Sequence, residues 1–326
     1  MRIGILASGG NSPGMNNAII TLVKKASVSK IDTLLIRDGY KGLLANDFIK
    51  PDIRYLDKFV TTSNVVIGSA RSKDFYKIEC KKKAQTILKK RRVDVLVVIG
   101  GDGSYKGAAG LAKLGQKVMG LPGTIDNDVS STDVTIGFAT CLNTIVVALD
   151  AIRDSFESHA GICFVEVMGR GFSDLAVTAG IATQAEAIIT PENILSVEDF
   201  IEIANLTKKN GKRSCLFVVT EGIYGRNGLL TLNDIANEVE QVTSRSTRVN
   251  VIGYSQRGGT PTASDRFLAA TMANHCIECL LQKRFNRVIV QKSGEILDVD
   301  INEAIALPHK RNNTKCAKIY ELIDRV

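Results

Sequence analysis

Val93 to Val129 reads VDVLVVIGGDGSYKGAAGLAKLGQKVMGLPGTIDNDV. The run Val95 to Ile99 is apolar without interruption and ends in Gly100, Gly101, Asp102, Gly103 and Ser104. A second run, Val118 to Leu121, ends in Gly123, Thr124, Ile125, Asp126, Asn127 and Asp128. Strands that are apolar on both faces belong to parallel sheets covered by helices. In such open α/β sheets the site lies beyond the carboxyl ends of the strands. Two of those ends carry small residues and three carboxylates here, so the site is expected there.

Gly100, Gly101 and Gly103 leave backbone N–H groups uncovered, and Ser104 is read as the cap of the following helix. Uncovered donors at a helix N-terminus form an anion site. Asp102 would repel a phosphate unless a divalent cation bridges the two, and Mg²⁺ commonly takes one or two carboxylates plus phosphate oxygens. Asp126 and Asp128 stand two apart, which on extended backbone puts both on one side. One could act as base toward a hydroxyl while the other tunes it or the metal. Alone, Asp-Asn-Asp would read as a polar turn; beside GGDGS it reads as chemistry.

Outward from this stretch, strand and helix patterns alternate. Ile3 to Leu6 is expected as a strand, Ser8 to Gly14 as a Gly-rich turn, and Asn16 to Ala26 as a helix. Strand, glycine turn and helix form a phosphate-binding plan. No GxxxxGK[ST] occurs, and Gly101, Gly103 and Gly107 miss the dinucleotide spacing. Further strands are expected at Thr33–Arg37, Ile162–Val167, Cys215–Thr220, Val249–Gly253 and Val288–Gln291. Helices are expected at Gly137–Ser155, Phe172–Ala182, Leu232–Thr243 and Ser264–Leu281. Gly39 and Gly42 mark a loop that would carry Tyr40 toward a nucleotide. The fold class is therefore α/β, with mostly parallel sheets and helices on both faces.

Composition narrows the class. The 326 residues are 44% hydrophobic, enough for a sizeable core and against disorder. The net charge is +8, but aromatics are 6% and no nucleic-acid motif appears, so no nucleic-acid partner is expected. Lys81–Lys83 and Lys89–Arg92 fall at helical spacing around Ala84, Ile87 and Leu88, a solvated helix face. No apolar run reaches the ~18 residues of a membrane helix, and no secretory signal opens the chain, so a cytoplasmic location is expected. The seven cysteines, Cys316 among them, are scattered and odd in number. The pair Cys276 and Cys279 lies in an apolar helical pattern and reads as core, with His275 structural beside it.

GGDGS followed by PGTIDND resembles the phosphofructokinase family, in its short bacterial ATP-dependent form. The likeness runs over nearly the whole chain and includes SGGNSPGMN (Ser8–Asn16), GSAR (Gly68–Arg71), VEVMGR (Val165–Arg170), TEG (Thr220–Gly222) and GYSQRGG (Gly253–Gly259). It implies two lobes: residues 1–137 plus 256–306 binding nucleotide, and 138–255 plus 307–326 binding sugar phosphate. The substrate cleft would lie between them. It implies ATP and Mg²⁺, with fructose 6-phosphate phosphorylated at its 1-hydroxyl, and a homotetramer.

By the same resemblance Asp126 is the base, with Arg71, Thr124 and Asp128 in the catalytic set. ATP would meet Gly10, Tyr40, Arg71, Gly101, Asp102, Gly103, Ser104 and Gly107, and Mg²⁺ would meet Asp102. Arg71 would bridge the phosphate partners. The sugar phosphate would meet Thr124, Asp126, Met168, Gly169, Arg170, Glu221, Arg248, Tyr254 and Arg257, with Glu221 on a hydroxyl and Arg248 and Arg257 on the 6-phosphate. Pyrophosphate-using relatives carry Asp and Lys where this chain has Gly103 and Gly123, so ATP is the expected donor.

The chain departs from its family in places. Asn11 replaces the usual Asp. Lys24, Arg153, Glu186 and Lys212 match the basic effector site between subunits, but Ile20 replaces an arginine and Asn210 a lysine, which predicts a feeble response to ADP or phosphoenolpyruvate. Gly161 stands where an arginine usually reaches the 6-phosphate across a subunit interface, and Tyr254 where a histidine is usual. These changes leave open a weak homomeric enzyme, another sugar-phosphate acceptor, or a paralogue supplying the missing arginine. A kinase of lipid or NAD type, since GGDG recurs there, and a nucleotide-binding regulatory subunit of a heteromeric enzyme are the alternatives from other classes.

Overall fold

A computed structural model describes residues 1–308. Cys316, and the part of the expected second lobe that follows 308, lie outside the described residues. Among the described residues eleven strands run in order: β1 (Arg2–Ala7), β2 (Asp32–Ile36), β3 (Phe48–Ile49), β4 (Val95–Gly100), β5 (Lys117–Pro122), β6 (Ile162–Val167), β7 (Ala187–Ile189), β8 (Cys215–Thr220), β9 (Thr247–Val251), β10 (Arg287–Lys292) and β11 (Glu295–Asp300). Between them come helices α1 (Met15–Val28), α2 (Gly39–Ala45), α3 (Ile53–Leu56), α4 (Ile78–Lys90), α5 (Asp102–Ala112), α6 (Phe138–His159), α7 (Asp174–Ala182), α8 (Val197–Lys209), α9 (Leu232–Thr243), α10 (Ala263–Leu281) and α11 (Ile301–Ala306).

The described residues gather into two compact units, Met1–Thr140 with Arg257 onward, and Cys141–Gln256. The first holds a seven-stranded sheet in the order β11-β10-β5-β4-β1-β2-β3. Its centre is parallel, while β3 and β11 pair antiparallel with β2 and β10. Alternate side chains divide between two cores. Ile3, Ile5, Val95, Val97 and Ile99 face α1 and α10 on one side. Leu6, Leu96 and Val98 pack with Ala84 and Leu88 of α4 and Tyr105 and Ala108 of α5 on the other. Period-two alternation on a strand apolar at every position requires this double cover. The basic helix α4 buries only Ala84 and Leu88, so its lysine-rich face is solvated as expected.

The second unit holds a wholly parallel sheet in the order β7-β8-β6-β9. Phe164, Phe200 and Phe217 pack with ring centroids 4.9 Å apart and tie β6 and β8 to α8. Such contacts add about 0.5–1.5 kcal/mol per pair beyond area burial. Buried Arg245 donates to the carbonyls of Ala160, Ala204 and Gly161 at 2.9, 3.0 and 3.2 Å, and to that of Arg213. The guanidinium thus satisfies backbone groups where helix, strand and loop ends meet.

Two expectations are corrected. Gly39–Ala45 is a helix, not a loop, because Asp38 takes the left-handed conformation and starts a turn. The last strand of the second sheet spans Thr247–Val251, two residues earlier than read, since Thr247 pairs with Ile162. Gly253–Arg257 coils into a 3₁₀ turn instead.

Candidate active site

In the first sheet β1 lies between β2 and β4, so the chain leaving β1 and the chain leaving β4 part at a topological switch point. The loops there are stitched together. Ser8 N donates to Ile99 O at 2.9 Å, and Ser104 Oγ to Ser8 O at 3.1 Å. Ser69 Oγ donates to Gly9 O at 2.9 Å, and Gly9 N to Ala70 O at 3.4 Å. The loop carrying exposed Arg71 is therefore held beside the Ser8–Pro13 turn. Backbone conformation favours glycine at one of these positions, and a close side chain lies beside the next. Gly9 has φ +106, and a Cβ on Gly10 would lie 2.7 Å from an Arg257 guanidinium nitrogen.

Helix α5 starts at Asp102, and its N-cap Gly101 offers no side-chain cap. Ser104 is thus inside the first turn, with its hydroxyl turned to Ser8, not the cap that the sequence suggested. The first N–H groups of α5 stay uncapped by side chains, as a bound anion requires. The Asp102 carboxylate, 21% exposed, meets Lys106 Nζ at 3.3 Å. That partner four residues on was legible from its spacing but not picked out. Tyr40 is not presented to a ligand. It is 3% exposed, stacks on Phe75 at 3.9 Å, and donates to Ser104 O at 2.6 Å. Burial pushes its phenol far above the ordinary value. Gly107 serves the same packing: its Cβ would lie 2.9 Å from the Tyr40 ring. Tyr40 thus supports α5 from outside, and Gly107 within the helix leaves room for its ring.

Beyond β5 the chain turns at Thr124–Asp128, and Thr124 comes within 3.7 Å of where a Cβ on Gly101 would sit. Asp126 and Asp128 are buried, at 4% and 8% exposure. Asp126 N donates to Thr124 Oγ1 at 3.2 Å, and that hydroxyl lies 3.5 Å from Asp126 Oδ2. Asn127, to which the sequence reading gave no task, has φ 51 and ties down the turn. A Cβ on Gly123 would lie 2.9 Å from Met15 Cε and 3.0 Å from Ile99 Cγ2, so a lysine there would not fit without rearrangement. A Cβ on Gly103 would lie 3.1 Å from the Tyr76 hydroxyl. Arg257, expected on a sugar phosphate, instead packs on this unit's first loop. Its Nη1 donates to Asn11 O at 3.2 Å, and Asn11 Nδ2 donates to Arg257 O at 3.2 Å.

In the second unit, Met168, Gly169 and Arg170 follow β6, and Arg170 has φ 53. Glu221 holds them. Its Oε1 accepts from Gly169 N at 3.2 Å and Arg170 N at 2.8 Å, so one oxygen expected on a sugar hydroxyl already has backbone donors. Gln256, unassigned by sequence, accepts from Met168 N at 3.0 Å and donates to Gly253 O at 2.9 Å. Burial, then the Glu221 charge, push Glu166 upward. Arg248 is ion-paired with Glu240 at 2.7 Å, so the two arginines expected on one phosphate each have other partners. Tyr254 is 82% exposed. Gly161 is enclosed: a Cβ there would lie 2.7 Å from the Phe156 ring and 2.9 Å from Ser246 O. Of the expected effector residues, Arg153 and Lys212 each meet Glu186 Oε1 at 3.3 Å, while Lys24 pairs with Asp57 at 2.6 Å.

One further group of possible metal ligands gathers among the described residues, His275, Cys279 and Asp298. It is already an ion-pair cluster. Asp298 bonds Arg287 at 2.7 Å, His275 at 3.1 Å, and Arg284. Two guanidiniums beside the carboxylate oppose a cation there. Cys276 and Cys279 are fully buried, as the apolar pattern suggested.

The comparisons agree with this geometry. The phosphofructokinase family model matches residues 2–280. The ATP-dependent 6-phosphofructokinase 1 of Clostridium perfringens is 40% identical over 325 residues, covering 100% of this chain and 99% of that one. The ATP-dependent 6-phosphofructokinase of Clostridium tetani is 42% identical over 98% of both chains. The structure of phosphofructokinase from Saccharomyces cerevisiae superposes with a TM-score of 0.84 at 30% identity, over 99% of this chain and 47% of that one. This chain thus spans about half the length of the yeast chain. A pyrophosphate-dependent phosphofructokinase from Marinobacter aquaeolei, 19% identical, gives a TM-score of 0.85 and covers 99% and 91%, which speaks to fold alone. The stitched glycine loops, the aspartate turn and a family match over most of the length converge: this chain belongs to the phosphofructokinase family.

Proposed function

We propose that this chain is an ATP-dependent 6-phosphofructokinase, transferring a phosphoryl group to the 1-hydroxyl of fructose 6-phosphate in glycolysis. The observation that carries it is the assembly, at the carboxyl ends of β1, β4 and β5, of two glycine loops, an arginine loop and a turn with two buried aspartates. Phosphoryl transfer asks mainly for positioning and charge stabilisation, which that set can supply. Asp126 accepts the hydroxyl proton, and the Thr124 hydroxyl orients the carboxylate. Arg71 and the backbone N–H groups around Gly10 and Gly103 stabilise charge on the transferred group. A part-exposed carboxylate at the mouth of the glycine cradle suits Mg²⁺, which Asp102 would hold and which would neutralise the phosphates. Arg170, positioned through Glu221, attends the reacting end of the sugar.

Glycine at both 103 and 123, where a lysine at 123 would need Met15 and Ile99 to move, supports ATP over pyrophosphate. The reading includes a homotetramer in the cytoplasm. The test is a coupled assay of the purified protein with Mg²⁺, ATP or pyrophosphate, and a panel of sugar phosphates. Turnover with ATP and fructose 6-phosphate is expected, and Asp126→Ser should lower it by about 10²–10⁴ with substrate binding kept. Turnover with pyrophosphate alone, or a fully active Asp126→Ser, would overturn the donor or the base.

A second reading rests on Gly161 and Tyr254: fructose 6-phosphate binds weakly, or another sugar phosphate is preferred. Losing one charged contact costs about 1.5–3 kcal/mol. The same panel ranks the acceptors. The effector site lacks two cations at Ile20 and Asn210, so ADP and phosphoenolpyruvate should barely move the sugar-phosphate curve; a strong saturable shift would refute this.

A further inference from the structure

We propose that Asn127 and Thr135 form a clip that sets the aim of Asp126, making both positioning residues for the transfer. The inference rests on Asp126 being the base. Fully buried Thr135 faces the turn with two groups. Its N–H donates to Asn127 Oδ1 at 3.1 Å, and its hydroxyl donates to Thr124 O at 2.7 Å. The clip therefore holds both sides of Asp126, at Thr124 and at Asn127. Asn127 Nδ2 adds a donation to Asp133 O at 3.3 Å.

The clip is anchored in the sheet. Ile136 N donates to Pro122 O at 2.8 Å, just beyond Thr135. Asp133 N donates to Gln291 O at 2.8 Å, and Gln291 N donates to Thr132 Oγ1 at 2.9 Å. Strand β10 thus supports the segment that supports Asn127. Asn127 is in the left-handed region, which asparagine and glycine tolerate and most residues resist. A buried asparagine in that conformation, with its amide bonded on both sides, fixes the direction of its two flanking carboxylates. Catalytic groups held on such supported turns reach the precision that transfer requires.

The variants separate aim from stability. Asn127→Gly keeps the backbone conformation at no steric cost and deletes the amide. Thr135→Val keeps the shape and removes the hydroxyl bond, while Thr135→Ser keeps that bond. Kinetics with ATP and the best sugar-phosphate acceptor are measured on enzyme whose folded fraction is fixed by circular dichroism. Asn127→Gly and Thr135→Val should each lower kcat by about ten- to a hundredfold, with the KM for ATP within about twofold of wild type. Thr135→Ser should recover most of the loss. A residue that only stabilises the fold would reduce the folded fraction and leave kcat per folded enzyme unchanged. If Asn127→Gly does not fold, the Thr135→Val and Thr135→Ser pair decides. Wild-type activity with unchanged kcat in Thr135→Val overturns the clip alone. A wild type inactive toward every acceptor overturns the kinase reading and the clip with it.

Discussion

A Cβ on Gly161 would press on the Phe156 ring and on the Ser246 carbonyl, so this position is closed by backbone as well as by side chain. The family arginine cannot be restored there as a simple surface change. Gly161→Ala should cost about 1–3 kcal/mol by overpacking, read from the midpoint of urea unfolding. Unchanged stability would mean that the end of β9 gives way. Gly161→Arg, even beside Tyr254→His, should be strained, and a smaller residue at Phe156 would still leave the Ser246 carbonyl in the way. The absence of the arginine was legible because VEVMGR fixed the register. The reason was not, because Phe156 comes from the end of α6 and Ser246 from a distant loop. Ser104 and Tyr40 show the same limit. Their chemistry pointed to a cap and a nucleotide contact, yet long-range bonds to Ser8 O and Ser104 O gave them other work.

Among the elements, β10 and β11 form a hairpin with one buried carboxylate, Asp298. Its carboxylate is 4% exposed. Burial pushes it up, but hydrogen bonds from Arg287 and His275 and the charge of Arg284 bring it below the ordinary carboxylate value. A lowered folded value means that its stabilisation is present above the unfolded pKa, about 4, and is lost as pH falls through the folded one. Asp298→Asn should therefore destabilise by about 1–3 kcal/mol near neutrality. The gap to wild type should narrow on acidification below about pH 4. A gap that is constant with pH would assign the loss to packing. The sequence pattern did not reveal β11, because EILDVD mixes charge into an edge strand. Nor did it reveal β7, three residues long. Helix α8 did leave a signal, the Ser196–Asp199 capping box, which was there to be read. Central elements such as β6, β8 and α9 match the reading residue for residue, since uninterrupted apolar runs and clean amphipathic spacing survive any context.

For the whole molecule, the α/β class followed from the order of elements, and the grouping of residues into two units followed from contacts that composition does not register. The first unit draws on both flanks of the chain. Its core needs α10, whose Leu268, Met272, Cys276 and Ile277 lie against Ile3, Ile19 and Leu22, and it needs Ile289 of β10. Among the described residues the second unit's sheet is complete by Val251. On a ribosome this predicts the reverse of the usual order, in which the N-terminal domain folds first. The part synthesised in the middle has all its described strands while the part synthesised first still waits for its last helix and strands. In stalled nascent chains of increasing length, protease resistance should appear in β6–β9 before β1–β5, and the latter should gain it only once β10 has emerged. Early protection of β1–β5 would show that α1 and the five early strands fold without α10. The loops that follow β1 and β4 would then be the last part of the first unit to take shape, although they are among the first to be made.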